Sequence, residues 1–503
     1  MADEVFDIVV IGGGINGSGI AADAAGRGLR VLLAEAEDLG GATSSASSKL
    51  IHGGLRYLEQ YAFRLVREAL AEREVLLAKA PHIVWPLQFI LPRVEGMRPA
   101  PVLRAGLFLY DHLSQRRTIG RSHSVDLHQL PAGQPLKANL TKGYSYWDCW
   151  VDDARLVVLN AIAARDHGAT VLTRTPVTEL SVSGDFWKIT LGGAGGSRRV
   201  NARAVVNAAG PWVEVVAGMT KGPMQSAAPH LRLVKGSHIV VPRIAGANTA
   251  YIFQNTDGRV VFALPFERAF TLIGTTDQPF AGDPRTVAVT PADRSYLLDV
   301  ANRFFVNQLT TADIVWDFAG VRPLDDDGND NPSSVSRDYR LDLLADGSPP
   351  LLHVIGGKIT TYRRLAEAAL VKLEPYFPSM GRAWTGSAPL PGGDVGARGF
   401  DTWFEGMTTR YAGIDRGYLE ILARRYGTRL EHLIGDAQSI SDFGTLIAAG
   451  LTEREIKFLK SDEWAVVADD IIWRRTKAGL HVSPEHRPKL LGQVQSVLDS
   501  HGL

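Results

Sequence analysis

Three glycines near the amino terminus have the spacing that binds the pyrophosphate of a dinucleotide. Gly12, Gly14 and Gly17 occupy the marked positions of a G-x-G-x-x-G pattern. The first glycine permits a tight turn, the second lets phosphates approach the backbone, and the third lets a helix pack on a strand. The acid Glu35 follows roughly twenty residues later, where a carboxylate accepts hydrogen bonds from a ribose. The pattern predicts dinucleotide binding and does not decide which dinucleotide.

A strand, a helix and a second strand must hold these residues in place. Residues 8–11 form an apolar run typical of a buried parallel strand, and residues 18–26 and 29–34 predict the helix and the second strand. The amino end of the helix offers free N–H groups and a positive dipole end to phosphates. A later strand ends in Ala209 and Gly210, which either face the ligand at the switch point of the sheet or mark an ordinary turn.

The composition excludes several classes of protein. The chain has 503 residues with 54 Lys plus Arg and 54 Asp plus Glu, so no global basic field points to nucleic acid. Cys149 is the single cysteine, which excludes an internal disulfide, gives no metal cluster and fits a reducing compartment. The amino terminus is not a secretory signal, and no apolar segment is long enough to span a bilayer. We expect two or three domains, no metal site, and a protein that is soluble or lies on a membrane surface.

The remaining chain changes pattern several times. A hydroxyl-rich loop, residues 40–49, runs into residues 50–57, whose His, Arg and Tyr a solvated linker does not need. Alternating strands from 231 to 343 predict a mostly antiparallel sheet. A strand, the turn Gly356-Gly357-Lys358 and a helix then follow, and beyond a linker at 389–393 helical patterns continue to the end. We expect nothing catalytic in this last part.

Eight segments of the chain are informative beyond their local patterns: GGGINGSGIAADAAGRG, ATSSASSKLIHGGLRYLE, YSYWDCWVDDARLV, VVNAAGPWV, LVKGSHIVVP, GVRPL, SRDYRLD and GGKITTYRRLAE. Together they resemble the FAD-dependent glycerol-3-phosphate dehydrogenases of respiratory glycerol metabolism. The resemblance covers nearly the whole chain. It implies an α/β fold with a Rossmann-type FAD domain of the D-amino-acid-oxidase-like class, a mostly antiparallel β substrate domain and an α-helical C-terminal domain. The expected FAD domain is discontinuous (residues 1–80, 150–225 and 345–388), as is the substrate domain (81–149 and 226–344), and residues 389–503 form the helical domain.

The resemblance makes FAD the expected cofactor and adds residues to its site. The hydroxyl-rich loop is expected along the pyrophosphate and ribityl chain, unless its hydroxyls only cap the next helix. Lys358 and the neighbouring amides are assigned to the flavin and substrate face, because a cation and a helix start there stabilise a reduced, anionic flavin. The expected cofactor contacts are Gly12, Gly14, Asn16, Gly17, Glu35, Thr43, Ser44, Ser47, Lys49, Leu50, His52, Ala209, Gly210, Gly357, Lys358 and Thr360.

The implied substrate, glycerol 3-phosphate, is a small dianion and needs converging cations. The candidates beside Lys358 are Arg56, Arg322 and Arg337. Each of them alone would be an ordinary surface charge, and the resemblance favours a substrate-binding role for all three. Tyr57 is expected to position the substrate.

Oxidation of the substrate hydroxyl needs a base. Histidine is the usual choice, because its ordinary pKa lies near neutrality. His238 is the expected base and His52 the competitor, and the sequence does not settle between them. The expected catalytic residues are His238, Arg322 and Lys358.

The resemblance implies oxidation of glycerol 3-phosphate to dihydroxyacetone phosphate, with electrons passed to a membrane quinone. The alternatives are a glycerol-3-phosphate oxidase that uses oxygen, an amine or 2-hydroxy-acid oxidoreductase on the same fold, and a nucleotide-binding module without turnover. The expected location is cytoplasmic, on the inner face of the inner membrane, and a homodimer is an open possibility. Residues 85–113 are either an apolar surface rimmed by arginines that meets lipid or part of the substrate-domain core.

Overall fold

The computed structural model describes residues 4–115, 118–193, 195–220, 229–255, 257–326, 338–345 and 347–500. The predicted substrate ligand Arg337 lies outside the described residues. Two sheets and a helical C-terminal region make up the described part. The glycine motif follows the first strand of the first sheet. The second sheet contacts the loop beside this motif.

The first sheet is mostly parallel, and eight of its strands lie in the described residues. Their order is β17-β18-β10-β1-β2-β7, with β9 beside β10 and β8 beside β9. The parallel pairs are β1 with β2 and β10, β2 with β7, and β10 with β18. The strands are β1 (Glu4–Ile11), β2 (Val31–Ala34), β7 (Thr170–Leu172), β8 (Val177–Ser183), β9 (Phe186–Leu191), β10 (Arg198–Asn207), β17 (Arg340–Leu344) and β18 (Leu351–Ile355).

The helices α1, α4 and α7 cover one face of this sheet. They are α1 (Ile15–Gly26), α4 (Asp153–Asp166) and α7 (Tyr362–Leu373), and their side chains join one apolar core with β1 and β2. The helix expected from residue 18 begins earlier, at Ile15, and Gly14 is its N-cap residue. The strand expected from residue 29 begins later, at Val31, because the Leu29 amide still donates to the Ala24 carbonyl of the helix end.

The second sheet is antiparallel apart from the β4–β12 pair, as the alternating pattern predicted. Its order in the described chain is β15-β11-β14-β13-β12-β4-β6-β3, with β16 beside β11 and β5 beside β6. The strands are β3 (Leu50–Ile51), β4 (Val84–Pro92), β5 (His123–Asp126), β6 (Lys142–Val151), β11 (Leu231–Pro242), β12 (Ala250–Gln254), β13 (Val260–Phe266), β14 (Phe270–Gly274), β15 (Gln278–Pro279) and β16 (Trp316–Asp325). The helices α2 (Phe63–Lys79), α3 (Ala100–His112) and α6 (Pro291–Phe304) flank it, and the short α5 (Val213–Ala217) follows β10.

The last region is helical, as expected, with one small hairpin. Its helices are α8 (Gly399–Arg410), α9 (Arg416–Tyr426), α10 (Leu430–Ile434), α11 (Glu453–Glu463) and α12 (Arg487–Ser500), and its hairpin strands are β19 (Leu446–Ala448) and β20 (Leu451–Thr452). A π-helix, Asp470–Arg475, leads toward the first sheet. In the described part of the chain, no helix is both long and apolar enough to cross a membrane. No group of three or more His, Cys, Asp or Glu that could hold a metal occurs among those same residues.

Residues 85–113 divide between core and surface. Phe89, Ile90, Leu91, Leu107 and Tyr110 are buried in the substrate-side cores. The outer face of α3 nevertheless exposes apolar side chains, so neither sequence interpretation describes the whole segment.

Candidate nucleotide and substrate site

A cavity of about 310 Å³ lies where β1 ends and α1 begins. It extends from Glu35 past the loop 40–44 to the turn at Gly356 and Gly357, and Ala209 and Gly210 form its opposite wall. Gly14 and Asn16 line it at the start of α1, so free helix N–H groups open into the cavity. The elements that the sequence predicted for a dinucleotide therefore surround one space.

The glycine positions leave no room for side chains. Gly12 has φ +107°, and a Cβ there would lie 2.6 Å from the Ala208 carbonyl oxygen. A Cβ on Gly17 would lie 1.9 Å from the Gly12 carbonyl oxygen, so α1 packs directly on the turn. These contacts set the helix amino terminus close to the cavity, which is the arrangement that pyrophosphate binding requires.

Glu35 faces the cavity from the end of β2. Its carboxylate accepts hydrogen bonds from the amides of Gly13, at 2.5 Å, and Glu37, at 2.8 Å. Burial raises the pKa of this carboxyl despite those two hydrogen bonds. Each carboxylate oxygen keeps a second lone pair, so Glu35 can still accept from ribose hydroxyls.

Two adjacent residues of the hydroxyl-rich loop bond to different parts of the fold. The Ile15 amide donates to Ser44 Oγ at 3.0 Å, and Thr43 Oγ1 donates to the Val321 carbonyl of β16 at 2.6 Å. Ser44 thus meets the helix start where a phosphate would bind. Thr43 joins the first sheet's cavity to the second sheet.

Ser47 and Lys49 turn their side chains away from the cavity toward α4. Ser47 Oγ donates to Asp153 at 2.7 Å, and the buried Lys49 ammonium pairs with the same carboxylate at 2.7 Å. The sequence analysis placed both residues nearest the cofactor; here their side chains fix the loop, and their amides donate to Asp153 and to Ser47 Oγ. Leu50 follows as a buried residue of β3.

The glycine–lysine turn meets three other predicted site residues. Asn16 Nδ2 donates to the Gly356 carbonyl at 3.0 Å, and a Cβ on Gly357 (φ +96°) would crowd that amide at 3.0 Å. The His52 amide donates to Thr360 Oγ1 at 3.3 Å. These contacts bring α1, β3 and the start of α7 together.

Lys358 and Tyr57 are neighbours beside this turn. The Lys358 ammonium lies 3.7 Å from the centroid of the Tyr57 ring, a cation–π contact. Tyr57 and the half-buried Arg56 belong to one 3₁₀ helix, Leu55–Gln60. Arg56 therefore lies one residue from the ring that Lys358 touches.

Arg322 lies on β16, opposite Val234 of β11. Its guanidinium pairs with Asp277 at 2.5 Å and donates to the Thr276 carbonyl at 3.3 Å, and its side chain is 25% exposed. The next residue, Pro323, lines the nucleotide cavity beside Gly356. Arg322 is thus oriented by a carboxylate at the edge of the predicted cofactor site.

His238 is buried on β11 beside the hydroxyl-rich loop. Its Nε2 lies 2.9 Å from Ser48 Oγ, and its ring stacks on Phe318 at 4.9 Å. Nδ1 is buried with no hydrogen-bond partner among the residues that the structure describes. Burial, and then the charges of Lys49 and Arg322, lower the pKa of His238 to about 3. The imidazole is therefore neutral near pH 7 and able to accept a proton.

His52 differs from His238 in its surroundings. It is partly buried, its backbone bonds Thr360, and its ring meets the Phe262 ring edge-on at 6.2 Å. The structure places both histidines near the predicted site and leaves the choice of base open.

Several residues of the site were missed by the sequence reasoning. Ser48, Asp153 and Asp277 position His238, Lys49 and Arg322 respectively. Asp153 carried a signal, since the Asp-Asp-Ala-Arg run starts α4; Asp277 carried none that is local. Trp473 and Arg474, from the region where we expected nothing, line a second cavity of about 410 Å³ that adjoins the first along residues 41–43.

The residues present fit a dinucleotide. The cavity joins a helix amino terminus, two glycines that a Cβ would fill, and the ribose acid, while Asn16 Oδ1 is buried without a hydrogen-bond partner in the described chain. An extended ligand with a pyrophosphate at its centre would meet each of these groups.

Two family models match the chain. The first, FAD dependent oxidoreductase, matches residues 7–363, and the second, C-terminal domain of alpha-glycerophosphate oxidase, matches residues 383–499.

Curated relatives match over nearly their whole length. A glycerol-3-phosphate dehydrogenase of Pseudomonas aeruginosa is 53% identical, with 98% of this chain and 96% of the relative covered. The aerobic glycerol-3-phosphate dehydrogenase of Escherichia coli is 48% identical, with 97% of each chain covered. A D-erythritol 1-phosphate dehydrogenase of Brucella abortus is 47% identical, with 96% of each chain covered.

A solved structure shares the fold. The glycerol-3-phosphate dehydrogenase of Bacillus halodurans, complexed with FAD, superposes with a TM-score of 0.76 at 25% identity and covers 99% of this chain and 95% of that one. These matches confirm the predicted family, fold class and FAD cofactor. The chain belongs to the FAD-dependent oxidoreductase family, in the group that carries the C-terminal domain of α-glycerophosphate oxidase.

Proposed function

We propose that this enzyme oxidises sn-glycerol 3-phosphate to dihydroxyacetone phosphate and passes the electrons to a membrane quinone. The proposal is supported by two cations beside the cavity, Arg322 next to the lining residue Pro323 and Lys358 next to the lining residue Gly357, in a chain 53% identical to a glycerol-3-phosphate dehydrogenase. FAD, when bound, supplies the acceptor for the hydride that leaves the substrate C2 carbon. The chain's own residues bind the phosphate, orient the hydroxyl and take its proton.

The phosphate would bind between β16 and the glycine–lysine turn. Arg322 is held in place by Asp277, and Lys358 is held beside the Tyr57 ring. Two oriented cations suit a dianion better than two mobile ones, because less side-chain entropy is lost on binding. Arg56 completes the proposed set from the 3₁₀ helix, and Arg337 stays a prediction.

The proton of the C2 hydroxyl would go to a histidine. His238 is neutral and already accepts or donates one hydrogen bond at Ser48. A bound phosphate dianion would offset the positive charges of Lys49 and Arg322, so the pKa of His238 would rise when substrate arrives. The base would then be strongest when it is needed. His52 is the alternative, and His238→Asn against His52→Asn in single-turnover assays distinguishes the two.

A second candidate substrate is another polyol phosphate. The 47% identity to a D-erythritol 1-phosphate dehydrogenase favours it, since the same cations would bind either phosphate. Steady-state rates with glycerol 3-phosphate, D-erythritol 1-phosphate and glycerol, each with a soluble quinone analogue or oxygen as acceptor, test the proposal. The highest kcat/KM with glycerol 3-phosphate and quinone supports it. A preference for D-erythritol 1-phosphate, or for oxygen, contradicts it.

We propose that the outer face of α3 meets the lipid surface from which the quinone comes. Val102, Phe108 and Leu109 on α3 are 42–56% exposed, and Tyr61 and Phe63 are 78% and 40% exposed. These five residues are called the α3 patch.

Arginines border the α3 patch and link it to the substrate site. Arg93, Arg98 and Arg104 are exposed, and Arg98 pairs with Glu59 at 3.1 Å. Glu59 belongs to the 3₁₀ helix that carries Arg56. Apolar groups bordered by cations fit the headgroup region of anionic lipid. This position would place the enzyme on the cytoplasmic face of the inner membrane.

Vesicle binding tests the α3 patch. The double variant Phe108→Ser/Leu109→Ser should bind phosphatidylcholine–phosphatidylglycerol vesicles at least about tenfold more weakly, because burying each side chain contributes roughly 1.5–3 kcal/mol. Val306→Ser is the matched control, since Val306 is 61% exposed and lies after α6. Equal vesicle binding by the double variant and wild type would refute the assignment. Sedimentation velocity without vesicles tests whether the enzyme forms a homodimer.

A further inference from the structure

Two arginines of the C-terminal region hold an acid, Asp38, that lies between two groups of residues lining the nucleotide cavity. Arg475 donates to both carboxylate oxygens of Asp38, at 2.6 and 2.7 Å, and Arg474 pairs with Asp38 at 2.5 Å. Asp38 is 2% exposed and Arg475 is fully buried. Asp38 stands three residues after Glu35 and two before Gly40, and both of these line the cavity. We call this contact the Asp38 clamp.

The backbone on either side of Asp38 is fixed from the first sheet. The amides of Arg174 and Thr175 donate to the carbonyls of Glu37 and Glu35, at 2.8 and 2.7 Å. The Gly40 amide donates to the Gly13 carbonyl at 3.0 Å. The segment therefore has anchors at both ends, and its central anchor comes from a different part of the molecule.

A second acid, Asp470, ties Arg474 to the turn after β7. Asp470 accepts from Arg174 at 2.7 Å and from Arg474 at 2.5 Å, and the amides of Val466 and Val467 also donate to it. These bonds lower the pKa of Asp470 although its burial acts in the opposite direction. The Asp38 clamp is thus part of a buried ionic network with two acids and three arginines. Loss of one member would leave uncompensated buried charge, so the network favours one geometry.

We infer that the Asp38 clamp makes the C-terminal region a positioning element for the adenosine end of FAD. Asp38 touches no ligand itself. It fixes the segment that presents Glu35 to the ribose and the loop from Gly40 to the phosphates. The inference goes beyond the proposed oxidation, because it concerns cofactor retention whichever polyol phosphate is oxidised.

Release of FAD from the holoenzyme tests the inference. Free FAD is more fluorescent than bound FAD, so dilution of the full-length enzyme reports the dissociation constant. Arg475→Gln and Asp38→Asn should each raise the FAD dissociation constant about 10- to 150-fold, because a charge-assisted hydrogen bond contributes roughly 1.5–3 kcal/mol. Combining the two changes should add little, since they remove the same contact. The kcat at saturating FAD should stay within about twofold.

A control separates positioning from general destabilisation. Glu455→Gln breaks a buried pair with Arg425 (2.9 Å) inside the C-terminal region, away from Asp38. It should lower the thermal midpoint and leave FAD affinity unchanged. Arg474→Gln, whose side chain is 19% exposed, is the milder clamp variant if Arg475→Gln does not fold. Clamp variants that retain FAD as wild type does, while losing as much stability as Glu455→Gln, would overturn the inference. Because FAD release is read without substrate, this result is independent of the proposed activity.

Discussion

Removal of the Arg322 guanidinium is the sharpest test of the proposed phosphate site. Arg322→Ala deletes one charge-assisted contact to the substrate, a loss of about 1.5–3 kcal/mol, or roughly 10- to 150-fold in affinity. It also removes the ion pair of 2.5 Å between Arg322 and Asp277, whose side chain is 11% exposed. That carboxylate would then repel a dianion. We therefore expect the KM for glycerol 3-phosphate to rise toward the upper end of this range.

The second carboxylate gives the prediction an internal check. In the double variant Arg322→Ala/Asp277→Ala the repulsive charge is gone, so the KM should recover about 3- to 10-fold relative to Arg322→Ala. FAD content should match wild type in both variants, because neither side chain is among those that line the nucleotide cavity.

A matched ion pair on the same strand serves as control. Arg294 pairs with Asp317 of β16 at 2.7 Å, and none of residues 356–358 lines the cavity at this pair. Arg294→Ala should leave the KM within about twofold. Initial rates over a range of glycerol 3-phosphate concentrations give all four values. An unchanged KM in Arg322→Ala, or loss of FAD in that variant, would refute the assignment of Arg322 to the phosphate.

The remaining predictions concern the cofactor turn and the effect of acid. Gly17→Ala should abolish FAD binding, because its Cβ would lie 1.9 Å from a carbonyl oxygen. The control Gly106→Ala on α3 should retain FAD, because its Cβ would meet nothing within 4 Å. The flavin absorbance of the purified proteins measures the FAD content of both variants. Burial lowers the pKa of His82 and His238 to about 3 and that of His353 to about 4, against an ordinary value of 6.5. The unfolded chain therefore binds more protons, so the free energy of unfolding should be greatest above about pH 6.5 and fall as the pH drops toward 4. Urea unfolding at several pH values measures this dependence. The variant His82→Gln should take up about one proton fewer on unfolding, so its free energy of unfolding should depend less on pH. A wild-type free energy of unfolding that does not change with pH would contradict the prediction.

Local patterns predicted the elements that hold the nucleotide. The apolar run of β1, the glycines and Glu35 all act within one βαβ unit, so their spacing carried the information. The Gly356-Gly357-Lys358 turn was placed in the same way, because a strand and a helix flank it. Element ends were less certain, since Leu29 is held by a turn contact with α1 rather than by the sheet.

Long-range pairing could not be predicted from local pattern. Asp38 and Arg475 are separated by 437 positions, and nothing in the periodicity of either segment indicates the other. The same holds for Arg322 and Asp277, which lie on neighbouring parts of a sheet whose register the sequence does not give. The interpretation of residues 85–113 was incomplete for a different reason. The segment is an apolar run followed by an amphipathic helix, and it buries one set of side chains and exposes another. The composition of the whole segment does not separate the buried side chains from the exposed ones.

Flavin reduction by substrate under anaerobic conditions tests the central claim most directly. The claim is that the nucleotide cavity holds FAD beside a phosphate site formed by Arg322, Lys358 and Arg56. Addition of glycerol 3-phosphate to the purified yellow enzyme should bleach the oxidised-flavin absorbance, and a soluble quinone analogue should restore it faster than oxygen does. Glycerol at the same concentration should leave the colour. Persistent absorbance with glycerol 3-phosphate, or equal bleaching by glycerol, would contradict the account.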